Sequence, residues 1–112
     1  MTELTAQVQH QEGIATIHLS GYLSSDSAGA LDEAFAQVGD TGKVLLVFQA
    51  QDFITSAGLA VLFDLMLTAQ EQGRQVRVVQ PSPHFRKVFE MVGLSKEVEV
   101  FEAEELAVAG WG

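Results

Sequence analysis

The chain has 112 residues, 47% hydrophobic and 19% charged, with fifteen acidic residues against six basic ones and a formal net charge of −9. This is enough apolar material for the core of one domain, expected to span residues 1–112, and too little charge for a disordered chain. The acidic balance argues against nucleic acid as a partner, and the lack of cysteine removes disulfides, thiolate nucleophiles and thiolate metal sites.

Residues 4–9 alternate, with Leu4, Ala6 and Val8 on one side and Thr5, Gln7 and Gln9 on the other, which predicts a half-buried strand. Gln11-Glu12-Gly13 reads as a turn into a second strand over residues 14–19, so the pair is expected to form a hairpin. His18, alone in that strand, reads as a packing or surface residue. Gly21-Tyr22-Leu23 leads to Ser24, Ser25, Asp26 and Ser27, whose side-chain oxygens suit a helix start. Ala28, Leu31, Phe35 and Val38 follow at helical spacing, and Gly39 to Gly42 stops that helix. Val44-Leu45-Leu46-Val47-Phe48 is apolar at every position, as in a central strand covered on both faces.

Residues 49–55 are expected to form a connecting loop, with the next helix starting near Ser56. Leu59, Leu62, Phe63, Met66 and Leu67 supply its apolar stripe, and Gly73 its end. A strand over residues 75–80 follows. Pro81-Ser82-Pro83 opens a further predicted helix with Phe85, Val88, Phe89 and Val92 on its apolar face. His84, Arg86 and Lys87 form a basic cluster on it. A short strand near Val98, Val100 and Phe101 and an acidic helix over residues 102–108 complete the pattern, and Gly110-Trp111-Gly112 reads as a tail. Strands alternating with helices predict an α/β fold, a mixed β-sheet of about five strands with about four helices.

Several chemistries lack their residues. The three histidines, at 10, 18 and 84, have no helical metal-ligand spacing, and no glycine-rich phosphate loop or Gly-x-Ser-x-Gly elbow is present. No enzyme activity, cofactor or metal is expected. The first thirteen residues lack the basic start and apolar run of a signal peptide. The longest apolar-rich stretch, residues 58–67, is interrupted by Asp64 and falls short of the ~20 residues of a membrane span. A cytoplasmic protein without membrane insertion is the expectation.

The informative segment is Phe53-Ile54-Thr55-Ser56-Ala57-Gly58-Leu59-Ala60, set between a buried strand and an amphipathic helix. Ser56 at a helix N-terminus has two readings: a capping serine, or an exposed hydroxyl where the helix dipole favours an added phosphate. The block Thr55-Ser56-Ala57-Gly58-Leu59 resembles the signature of STAS domains of the anti-sigma factor antagonist type. Pro81 to Leu94, ending in Gly93-Leu94, and Leu19-Ser20-Gly21-Tyr22-Leu23 resemble two further blocks of that family, with the spacing the family shows.

The resemblance implies a binding module that docks reversibly on a serine-kinase-type anti-sigma factor. Phosphorylation in the helix-start motif would weaken that complex, with ATP used by the kinase. Carried over by position, Ser56 is the implied phosphorylation candidate, Thr55 a lesser one, and Ala57 fills the second central position without a hydroxyl. Thr55 stands where many members carry aspartate. Phe53, Ile54, Thr55, Ser56, Ala57, Gly58 and Leu59, with Ser24 and Asp26, are the implied partner-binding residues. The alternative is an unphosphorylated STAS adaptor subunit of a transport or stress-signalling complex.

Overall fold

The computed structural model describes residues 4–39, 41–48, 53–79, 99–101, 103–109 and 111. Strand β1 (Thr5–Gln11) and β2 (Ile14–Ser20) form the expected antiparallel hairpin, with Gln11 facing Ile14. Glu12 and Gly13 both take positive φ, at 53° and 79°, as the primed two-residue hairpin turns require. Then come β3 (Tyr22–Leu23), a single 3-10 turn (Ser25–Ser27), helix α1 (Ala28–Val38) and β4 (Lys43–Phe48). The chain continues with β5 (Phe53–Ile54), α2 (Ser56–Glu71), β6 (Gln75–Val79), β7 (Glu99–Phe101) and α3 (Glu104–Val108).

Five of the strands form one mixed sheet in the order β1-β2-β4-β6-β7, antiparallel only at the first pair. The α1 crossover from β2 to β4 and the α2 crossover from β4 to β6 step the same way along the sheet. Crossovers of one hand then place both helices on the same face. There Leu31, Ala34 and Val38 of α1 and Leu59, Leu62, Met66 and Ala69 of α2 meet Ile17, Leu19, Val44, Leu46, Phe48, Val76 and Val78 of the strands. In α2 the buried stripe therefore includes Ala69, too small to stand out in the sequence, while Phe63 and Leu67 are half-buried.

Strand β4 is buried from Val44 to Phe48, as its unbroken apolar run predicts. Its second face is covered differently from its first. Leu45, Val47 and Val79 pack with Ala107 of α3 and with Trp111. Trp111 is thus no tail: it is only 6% exposed. Its ring lies 4.5 Å from the Arg77 guanidinium, which also sits 5.4 Å from the Phe101 ring. Arg77 Nη1 donates to the Ala107 carbonyl at 2.7 Å, and the Trp111 indole N–H donates to the Gln75 side-chain carbonyl. These two bonds span 30 and 36 residues of chain, so no local pattern could reveal them.

A second departure is β3–β5. The sequence predicts a loop over residues 49–55, but Phe53 and Ile54 pair in parallel with Tyr22 and Leu23. The described residues hold three α-helices. The helix predicted to open at Pro81-Ser82-Pro83, the basic cluster His84, Arg86 and Lys87, and the block ending at Gly93-Leu94 lie outside them. Among the described residues no helix is long and apolar enough to cross a membrane.

Candidate functional site

The carboxyl ends of β2 and β4 release the chain at one end of the sheet. There Gly21, at φ 101°, turns it from β2 into β3. Ser24 then starts the 3-10 turn in an extended conformation. Its hydroxyl accepts from the Asp26 amide at 3.2 Å, while its own amide donates to the Ser27 hydroxyl at 3.0 Å. Ser27 in turn donates to the Tyr22 carbonyl at 3.2 Å, which satisfies the buried polar side chain of the described core. Ser25 and Asp26 are left exposed on the outside of this turn.

The second half of the site is the start of α2. Thr55, not Ser56, is the N-cap: its backbone is extended, and its hydroxyl accepts from the Gly58 amide at 3.0 Å. Ser56 is the first helical residue. The Thr55 amide and hydroxyl both donate to the Leu23 carbonyl, at 2.9 and 3.3 Å. That carbonyl therefore ties the helix start to the strand before the 3-10 turn.

Gly58 lets the two halves touch. A Cβ built there would lie 2.5 Å from the Leu23 carbonyl oxygen and 2.6 Å from the Ser24 nitrogen. Only a residue without a side chain permits this backbone-to-backbone approach. Leu59, 2% exposed, anchors the helix start in the core. The structure thus sets Ser24 and the turn that carries Asp26 against the start of α2, and the residues there have different parts. Ala57 and Asp26 are exposed, Gly58 and Leu59 are buried and hold the surface in place, and Phe53 and Ile54 contribute the β5 backbone.

The cap at Thr55 differs from the expected start near Ser56, although threonine is itself a capping residue and carries that signal in the sequence. Thr55 does here the capping work that an aspartate can also do. The first turn of α2 carries no acidic side chain, so its positive dipole end is not neutralised within the helix. Among the described residues, no group of three or more histidine, aspartate or glutamate side chains is placed to hold a metal ion.

Replacing Thr55 with alanine is expected to cost about 1–2 kcal/mol, because the hydroxyl's cap on Gly58 and its own bond to Leu23 go together while the amide bond to Leu23 stays. Thr55→Ser should recover nearly all of that, and Thr55→Asp the cap alone. Urea midpoints of the three variants measure it, and an alanine variant as stable as the parent would remove the cap from the account.

A family model described as the STAS domain matches residues 5–107. BtrV of Bordetella bronchiseptica, named as a candidate anti-sigma factor antagonist, is 32% identical over 106 residues, 89% of this chain and 88% of that protein. The crystal structure of an anti-sigma factor antagonist from Mycobacterium paratuberculosis superposes with a TM-score of 0.75 at 22% identity, covering 96% of this chain and 92% of that one. The Bacillus cell fate determinant SpoIIAA in its phosphorylated form superposes with a TM-score of 0.67 at 18% identity, covering 96% of this chain and 100% of that one. At these identities the two solved structures speak for the fold.

Proposed function

The chain belongs to the STAS domain family, and from that premise we propose that it is a cytoplasmic anti-sigma factor antagonist without catalytic activity of its own. It docks on a serine-kinase-type anti-sigma factor through the exposed rim of the 3-10 turn and the first turn of α2, and phosphorylation of Ser56 releases it. The observation that carries this reading is the division of labour at the helix start. Thr55 has both hydrogen-bonding roles of its hydroxyl engaged, toward Gly58 and Leu23, and a phosphate on it would break both. That leaves Ser56, at the first helical position beside exposed Ala57, as the acceptor.

The sign of the effect on the protein itself differs from the effect on the complex. A dianion at the start of α2 is stabilised by the helix dipole, by about 0.3–1 kcal/mol. The same dianion in a docking surface is desolvated and repels nearby carboxylates. Phosphorylation is therefore expected to leave the melting temperature equal or slightly higher while weakening the complex at least about tenfold, or about 1.4 kcal/mol.

The test is pull-down from the native cells, followed by binding of the captured anti-sigma factor to the parent chain, Ser56→Ala and Ser56→Asp, with intact-mass analysis after addition of ATP. Support is one phosphate on the parent and none on Ser56→Ala, with binding kept by Ser56→Ala and lost by Ser56→Asp. A stable complex with a transport or scaffold subunit that never acquires phosphate would instead establish the adaptor reading.

A further inference from the structure

Strand β1 ends the sheet on one side, and among the described residues it pairs only with β2. It runs seven residues, against three for β7 at the other edge. Its register with β2 is unbroken from Thr5 opposite Ser20 to Gln11 opposite Ile14, so no bulge bends it away. Exposed edges are ordinarily guarded by lysine, proline, inward charge, bulges or shortness. The segment TAQVQHQ has none of these. In a chain with fifteen acidic and six basic residues, this edge carries no aspartate, glutamate, lysine or arginine.

We propose that β1 is the interface for a second copy of this chain, paired antiparallel about a two-fold axis at Val8 so that the two five-stranded sheets become one. The partner's identity follows from charge. Two copies each carrying −9 repel, which favours contact where acidic side chains are absent, and an identical strand is complementary to itself about a two-fold axis. Centred on Val8, the pairing sets Gln7 against Gln9 and Thr5 against Gln11 of the other copy, all four exposed and all able to hydrogen-bond. On the opposite face, half-buried Val8, which already packs against the core, gains cover from Val8 of the second copy. The inference is independent of the anti-sigma factor reading, since neither Ser56 nor its surroundings contribute to it.

The experiment is sedimentation equilibrium of the full chain over a wide concentration range at low and high salt. The expected result is a reversible dimer that tightens as salt rises, because screening reduces net repulsion while the pairing itself contains no ion pairs. The double variant Gln7→Lys/Gln9→Lys sets lysine against lysine twice across the axis, and it should weaken the dimer at least about tenfold while melting like the parent at dilutions where both are monomeric. A control with the same charge change elsewhere, Glu71→Gln/Gln72→Lys on the exposed end of α2, should leave association intact or stronger. A chain that stays monomeric at every concentration, or a dimer indifferent to the lysines in β1, overturns the proposal.

Discussion

Gly58→Ala is expected to destabilise the chain by about 3 kcal/mol, at the upper end of what one overpacked methyl group costs, and to lower its melting temperature by about 10 °C. The added carbon would meet backbone on its crowded side: the Leu23 carbonyl carbon and oxygen and the Ser24 nitrogen, at 2.5–2.6 Å. Backbone cannot rotate away as a side chain can, so either α2 lifts from the 3-10 turn or the Leu23 peptide moves. Either shift strains the Thr55 bonds to Leu23 and the β3–β5 pair together. The variant should therefore lose anti-sigma factor binding beyond what its folded fraction explains. Gly29, also helical, has nothing within 4 Å of the place a Cβ would take, so Gly29→Ala should stabilise α1 by about 0.5–1 kcal/mol. Denaturation curves of both variants separate close approach from helix propensity. Equal effects at the two glycines would refute the steric account.

Trp111→Ala is expected to cost about 3 kcal/mol, the low end for removing a large aromatic side chain from a core. The indole closes the second face of the sheet over Leu45, Val47 and Val79. Its loss also frees one side of the Arg77 guanidinium and leaves Gln75 without its indole partner. Lys43 donates to the Trp111 carbonyl at 3.4 Å, so the backbone there is held as well as the ring. Trp111→Phe keeps the ring contact and gives up the N–H bond, for a cost of about 1 kcal/mol. Trp111 is the single tryptophan of the chain, so its fluorescence reports on its own environment. Blue-shifted emission in native buffer that moves to the red as urea unfolds the chain is the expected signal. Emission typical of a solvated indole in native buffer would show that the tryptophan does not cover the sheet.

The β1–β2 hairpin, the two-sided burial of β4 and the existence of α1 and α2 were legible because each rests on a period of two, a continuous apolar run or a 3.6-residue stripe. Such patterns are local, and burial imposes them directly on the residue order. The candidate site was legible as a segment, through the block from Thr55 to Leu59 and its likeness to the STAS signature. Its internal roles were not. Ser56 and Thr55 are both capping residues by type, and the choice between them was made by the Leu23 carbonyl, 32 residues from Thr55 in the chain.

What the sequence determined by itself is the α/β class, the order of the main strands and helices over the described residues and the family to which the chain belongs, since periodicity and a short motif are properties of neighbouring residues. Tertiary structure alone decided three things. Phe53 and Ile54 became a strand because Tyr22 and Leu23 were there to pair with them. Gly58 became indispensable because another segment's backbone presses on it. Trp111 became core because Arg77 and Gln75 present a platform for it. Each is a contact between residues far apart in the chain, and such contacts have no period for a one-dimensional reading to detect.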